Sequence, residues 1–216
     1  MMTPIGYLMI EHRLIERMIA LLNMHLQHVN SDGHADPDFI ASAVDFLRSY
    51  ADRCHHGKEE DLLFRALESK PLEVPLKDTL RELIQEHALG RQMVSELAEA
   101  GEDYHEGDPE ILTAIGQRLK NLIEFYPLHI EKEDRTFFVP VLDCFTKKEL
   151  ASLLDRFHEF DRELVHEHYR QLISTWEHGH YSGLAPRRPA PTASSAPISC
   201  DCLRSHGGSG VRVSTE

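Results

Sequence analysis

The chain has 216 residues and a mass of 24.7 kDa, which suits one domain with an appendage rather than two full domains, because domains cluster near about 100–150 residues. Its formal net charge of −13 at pH 7 disfavours binding to nucleic acid or to an anionic membrane. No run approaches the roughly 18 apolar residues that span a bilayer, and the N-terminus lacks a signal-peptide pattern, so the sequence predicts a cytoplasmic protein.

Four segments show the three- and four-residue apolar spacing that is typical of amphipathic helices. The first, second and fourth begin at a capping residue directly followed by proline, namely Thr3, Asp36 and Asp108. The third helix follows Pro75. Pro127 lies inside the fourth helix, where we expect it to kink the helix or force a local bulge just before His129.

A fifth helix is predicted after Thr146, which forms a capping box with Glu149. Because the first four helices are joined by short connections, neighbouring helices should run antiparallel. We therefore expect an all-α fold, an up-down antiparallel four-helix bundle with an additional C-terminal helix and a disordered tail. The bundle is assigned to residues 1–145, the C-terminal helix to 146–184, and the disordered Pro/Ser/Gly-rich tail to 185–216.

Six polar side chains interrupt the apolar stripes of the four predicted bundle helices. In a bundle core, a polar group without a partner costs roughly 1–3 kcal/mol, and a carboxylate costs more unless it is paired or bound to metal. Neutral imidazoles and carboxylates together suit divalent metals such as Fe, Mn and Zn. The predicted metal ligands are four of the 15 histidines and two glutamates: His12, His55, Glu59, His87, His129 and Glu133.

The spacing of these six residues repeats between the two halves of the chain. In each half a single histidine precedes a His-x-x-x-Glu motif. The motif begins 43 residues after His12 in the first half and 42 residues after His87 in the second. Residues four apart project from one face of a helix and can reach the same metal pair. Counted from the predicted helix ends at ~1.5 Å per residue, all six fall roughly 12–17 Å from the same end of the bundle.

The sequence HHGKEE at residues 55–60 allows two registers for the second helix. With about 100° of rotation per residue, the apolar stripe lies nearer to His55 and Glu59 than to His56 and Glu60. We predict that His55 and Glu59 point inward. His56 and Glu60 are then either exposed or support the ligands from outside the metal site, so His55→Ala should lower metal content whereas His56→Ala should not.

These residues resemble the hemerythrin-like (HHE cation-binding) domain family over about residues 3–142. The resemblance rests on Glu11-His12-Arg13, on HHGKEEDLLF and HIEKEDRTFF, and on Glu86-His87 with Gly90-Arg91. It implies a four-helix bundle with a non-haem di-iron centre of two Fe ions, with or without an oxo bridge. By resemblance, four histidines are terminal ligands and two glutamates bridge the irons: His12, His55, His87, His129, Glu59 and Glu133.

One position departs from the oxygen-carrying members of this family. They place a histidine four residues after the ligand of the third helix, where this chain has Arg91, which cannot bind metal. The remaining set of four histidines and two glutamates is similar to that of di-iron proteins implicated in iron-sulfur cluster repair. The resemblance then implies a more open coordination site, which favours reaction with O₂, peroxide or NO over reversible oxygen carriage.

Three functions stay open at this point. The first is a module that binds or senses O₂ or NO, or handles iron; the second is an oxidoreductase that consumes peroxide or NO, or an iron donor in iron-sulfur cluster repair. The third is a metal-free structural bundle. The sequence does not decide whether the chain is an enzyme, and it identifies no protein partner.

Four other residues have less specific interpretations. Tyr126, nearly one turn before His129, is interpreted as a core residue, although it could also support the metal site. Cys54 is interpreted as a semi-buried packing residue. Cys200 and Cys202 in the predicted tail could bind a soft metal or form a disulfide, but two cysteines alone do not define a site.

Overall fold

Four long helices form the bundle in the computed structural model, which describes residues 2–105, 108–161 and 165–179. Helix α1 is Pro4–Asp32 and α3 is Val74–Glu102, whereas α2 and α4 are continuous helical stretches over residues 37–68 and 109–142. No strand occurs within the described residues. The predicted all-α four-helix fold is confirmed.

The helix ends follow from local capping chemistry. Side-chain oxygens of Thr3, Asp36 and Asp108 accept hydrogen bonds from backbone N–H groups in the first turns of α1, α2 and α4. Gly33 ends α1 with a φ of 67°, a left-handed conformation that favours glycine. The predicted capping box at Thr146 is present at the start of the next helix.

Helices α2 and α4 contain π-helical segments, in which hydrogen bonds run from residue i to i+5. These segments are Leu47–His56 and Glu59–Phe64 in α2, and Lys132–Phe137 in α4. A bulge was expected just before His129, whereas the π-helical segment of α4 begins after it, at Lys132. The ring of Pro127 sits on an exposed face of regular α-helix, where water can hydrogen-bond to the carbonyl group that proline leaves without a donor.

The apolar core consists of two clusters along the bundle axis. One includes Leu14, Ala51, Val94 and Leu122, and the other is built from residues nearer the opposite end. On all four bundle helices, predicted metal ligands lie between positions that belong to the two clusters. The members of the second cluster are Ile5, Leu8, Leu62, Leu63, Phe64, Leu67, Leu72, Leu83, Phe137, Phe138, Val141, Leu153 and Phe157.

Two helices stand where a single C-terminal helix was predicted. Helix α5 is Lys147–Phe160 and helix α6 is Val165–Gly179. Helix α5 stops at Asp161, whose carboxylate accepts hydrogen bonds from the side chains of Lys58 and Tyr7. Phe157 in α5 and Trp176 in α6 pack into the two apolar clusters.

Some predicted features lie outside the described residues. They are the disordered tail at 185–216, with Cys200 and Cys202, and the last residues of the predicted C-terminal helix. A membrane-spanning segment is not found among the described helices.

Candidate metal centre

All six predicted metal ligands lie in the interior of the bundle, together with His56. Each has a relative exposure of 2% or less. They fall into two groups of potential donors, and within each group one donor atom per residue lies within 4.8 Å of the others. The first group is His12, His55, Glu59 and Glu133, and the second is His56, His87 and His129.

The first group joins helices α1, α2 and α4. His12 Nε2 lies 3.1 Å from Glu133 Oε2, and His55 Nε2 lies 3.4 Å from Glu59 Oε1. Two imidazole nitrogens and two carboxylate oxygens thus face one another in a space from which solvent is excluded. This donor set suits one divalent cation of the Fe, Mn or Zn type.

The second group lies against the same two glutamates. His87 Nε2 lies 3.4 Å from Glu59 Oε2 and 3.5 Å from Glu133 Oε1, while His129 Nε2 lies 3.4 Å from Glu133 Oε2. Each glutamate therefore contacts histidines of both groups. This is the arrangement that two neighbouring metal ions would need in order to share two carboxylates.

Six atoms of the predicted metal ligands are buried without a hydrogen-bond partner. Each such atom in a protein core carries a desolvation cost of roughly 1–3 kcal/mol, and more if it is charged. Bound cations would satisfy all of them together, so the donor set fits a metal centre. The atoms are Nε2 of His12, His55 and His129, both carboxylate oxygens of Glu59, and Oε2 of Glu133.

Each of the four predicted histidine ligands pairs its Nδ1 with a carboxylate outside the centre. Such pairs fix the tautomer and the ring orientation of metal-binding histidines and direct Nε2 toward the metal. The hydrogen bond from His87 lowers the pKa of Glu60 to about 2, so this carboxylate stays ionised. The pairs are His12–Asp134 at 2.7 Å, His55–Glu11 at 2.9 Å, His87–Glu60 at 2.8 Å and His129–Glu86 at 2.8 Å.

The pKa values of the two central glutamates are shifted in opposite directions. Burial and the adjacent carboxylate of Glu133 raise the pKa of Glu59 well above its usual value. Burial also favours a higher pKa for Glu133. Its contacts with His129, His12 and His87 outweigh this effect and hold the pKa of Glu133 well below its usual value. In the metal-free protein a proton therefore binds Glu59 more readily than Glu133, and metal binding competes with protons at this centre.

The placement of His56 corrects the sequence analysis. The expectation that His56 is exposed is wrong, because it is 2% exposed and stacks on His87, with ring centroids 3.9 Å apart and an interplanar angle of 9°. The π-helix at Leu47–His56 turns less per residue than an α-helix, so both histidines of the doublet face inward. Stacked parallel rings cannot aim their in-plane lone pairs at one ion, so His56 packs beside the ligand position of His87.

Other predicted positions match the interpretation given to them. Glu60 supports a ligand from outside by accepting the hydrogen bond from His87. Arg91 lies on the outside too, where its Nη1 donates to Asp52 and Glu60, at 2.9 Å each. Tyr126 is a core residue at 2% exposure.

A network around Lys58 was not foreseen. Its side chain is fully buried, and Nζ lies 2.6 Å from Glu11 Oε1 and 2.6 Å from Asp161 Oδ1. Cys54, which was interpreted as a packing residue, contributes its sulfur at 3.3 Å from the same nitrogen. Glu11, Cys54 and Asp161 form a third group of potential metal ligands, but the ammonium group already supplies the positive charge there.

Comparison with known proteins agrees with this geometry. The model of the hemerythrin HHE cation binding domain matches residues 3–140, a stretch that contains both donor groups. No curated protein and no solved structure matches the chain. With more than half of the chain covered by this match, the protein belongs to the hemerythrin HHE cation-binding domain family.

Proposed function

We propose that this protein is a non-haem di-iron protein that binds or senses O₂ or NO, or handles iron. One observation carries the proposal: two groups of buried donors share two carboxylates, and six of the atoms that face the centre have no hydrogen-bond partner. A bundle that binds no metal would leave these atoms at a cost that apolar residues would avoid. The third possibility, a metal-free structural bundle, is therefore disfavoured.

The donor chemistry is compatible with iron as the metal. Imidazole and carboxylate ligands suit iron, manganese and zinc, whereas copper(I) prefers thiolate and thioether ligands. Cys54 does not belong to either donor group, and its sulfur instead contacts Lys58 and Asp161. The family to which the chain belongs is named for cation binding.

Bound iron would supply redox chemistry and a Lewis acid for a small oxygen- or nitrogen-containing ligand. The chain itself supplies orientation, through the carboxylates that hold each Nδ1, and a dry environment, through the apolar clusters on both sides. A cavity of about 210 Å³ lies beside the second group and is lined by residues that include His56, Arg91 and Tyr126. This volume accommodates a small ligand such as O₂ or NO, since one water molecule occupies about 30 Å³ of liquid water.

The second candidate is a di-iron oxidoreductase that consumes peroxide or NO, or an iron donor in iron-sulfur cluster repair. The same cavity is compatible with it, because a volume of about 210 Å³ also accommodates peroxide, which is only slightly larger than O₂ or NO. Turnover separates the two. An oxidoreductase consumes many equivalents of peroxide or NO per iron centre, whereas a binding or sensing module forms a stoichiometric complex.

The proposal is tested by loading the protein with Fe(II) without oxygen and measuring metal content and optical spectrum before and after O₂ and NO are added. We expect about two iron ions per chain and a spectrum that changes with each gas. His55→Ala should lose iron, whereas His25→Gln, a change at an equally buried histidine outside both donor groups, should not. Protein that takes up zinc alone, or no metal, would overturn the proposal.

A further inference from the structure

The carboxylates behind the metal-facing histidines recur as a three-residue unit. In the first half of the chain, His55 Nδ1 donates to Glu11 at 2.9 Å, and Lys58 Nζ donates to the second oxygen of that carboxylate at 2.6 Å. The lysine stands three residues after the histidine and directly before Glu59. A glutamate thus connects a predicted metal ligand to an ammonium group.

The second half of the chain contains the matching unit. His129 Nδ1 donates to Glu86 at 2.8 Å, and Lys132 Nζ donates to the other oxygen of Glu86 at 2.5 Å. Lys132 again stands three residues after the histidine and directly before the central Glu133. The repeat seen in the ligands therefore extends to the residues that hold them.

The two units differ in their surroundings. Lys132 is 29% exposed, and its second partner is Glu82, which is 58% exposed. Lys58 is 0% exposed, and its second partner is Asp161 at the end of α5, which is 5% exposed. Water and salt screen the charges of the second unit, whereas the charges of the first act through a medium of low dielectric constant.

Asp161 is held firmly in its position. Tyr7 donates a hydrogen bond to its Oδ2 at 2.8 Å, while Lys58 donates to its Oδ1 at 2.6 Å. The carboxylate lies 103 residues along the chain from Lys58 and outside the four bundle helices. A continuous series of hydrogen bonds therefore runs from helix α5 through Asp161, Lys58 and Glu11 to His55.

We propose that Lys58 is a positioning residue for the metal ligand His55, and that Asp161 links helix α5 to the same metal position. This inference rests on the proposed function and deepens it. Lys58 fixes the Glu11 carboxylate, which in turn fixes the ring of His55. Its charge also reduces the negative charge that Glu11 directs at the imidazole, and Asp161 opposes that reduction.

The inference predicts opposite effects for two substitutions. Lys58→Met removes a buried positive charge, so the iron centre should become harder to reduce and its midpoint potential should fall. Asp161→Asn removes a buried negative charge while keeping the side-chain shape, so the potential should rise. Loss of orientation in Lys58→Met should also speed iron release to a chelator by about 10–100-fold, the usual effect of removing a group that supports a metal ligand.

The exposed unit provides the matched controls. Lys132→Met and Glu82→Gln make the same chemical changes around His129, and we expect them to change the potential and the release rate much less, because water and salt screen these exposed charges. Circular dichroism of each variant establishes that it is folded. If Lys58→Met destroys the fold, Asp161→Asn against Glu82→Gln still decides the question.

The outcomes separate the two proposals. If the wild-type protein takes up no iron, the proposed function fails. If the wild type binds iron but Lys58→Met behaves as Lys132→Met does in both measurements, the positioning role is wrong and the di-iron function stands. Shifts of the same sign in Lys58→Met and Asp161→Asn would show general loosening of the site and would also overturn the role.

Discussion

His25 gives a sharp test of how burial controls stability in this protein. It is 2% exposed, its Nε2 accepts a hydrogen bond from the backbone N–H of Asp36 at 3.4 Å, and its ring lies 4.5 Å from that of Phe39. Burial lowers the pKa of His25 from 6.5 to about 4. A protonated ring would direct an N–H group at the N–H of Asp36, so the folded protein keeps His25 neutral.

The pH dependence follows from linkage. Between pH 6.5 and pH 4 the unfolded chain binds a proton that folded His25 excludes, so the stability of the folded state falls as pH falls. At about 1.4 kcal/mol per pKa unit, the loss reaches about 3 kcal/mol at pH 4. Above pH 6.5 the ring is neutral in both states and the contribution of His25 no longer changes.

The assay is urea unfolding of the metal-free protein at pH 7 and at pH 4.5, for the wild type and for His25→Gln. Glutamine retains an acceptor oxygen but does not titrate, and other titrating groups are the same in both proteins. The wild type should lose about 2.4 kcal/mol more than the variant between the two pH values. Losses that agree within about 0.5 kcal/mol would refute the reasoning.

Three other changes have defined expected outcomes. A Cβ atom at Gly101 would lie 2.8 Å from its nearest neighbour, whereas one at Gly116 would lie at 3.7 Å. Gly101→Ala should therefore lower the free energy of unfolding by about 1–3 kcal/mol, and Gly116→Ala should raise it by up to about 1 kcal/mol. Similar effects of the two changes in urea unfolding would contradict this. Fe(II) at about a thousandfold excess over its Kd should raise the free energy of unfolding by about 4 kcal/mol for each iron ion bound, which an unchanged Tm would disprove. His55→Ala should lower the iron content measured by elemental analysis whereas His56→Ala should retain it, and the reverse result would show that His56 is the ligand.

The features that sequence alone predicted are those set by local chemistry. Thr3, Asp36 and Asp108 cap their helices through side-chain oxygens that reach only two or three residues ahead, so their positions identify the helix starts. The six predicted ligands meet because a polar group on an apolar stripe must find a partner in the core. Their assignment as ligands stays a prediction, as do the domain boundaries and the cytoplasmic location.

Other features depend on structure that periodicity does not contain. The inward position of His56 depends on a π-helix, and an angle of 100° per residue places it on the wrong side. The pairing of Lys58 with Asp161 joins residues 103 apart in sequence, and no local pattern indicates it. Asp161, which makes this contact, also lies at the end of α5. The sequence analysis predicted a single C-terminal helix that continued through this position.

The polar layer between the two apolar clusters has a consequence for how the protein unfolds. Each cluster buries its own side chains, while the layer that joins them holds polar atoms without partners when no metal is bound. Metal ions bound in this layer would couple the unfolding of one apolar cluster to that of the other. Calorimetry of the metal-free protein should then give a broadened or divided transition, and metal should restore one cooperative transition.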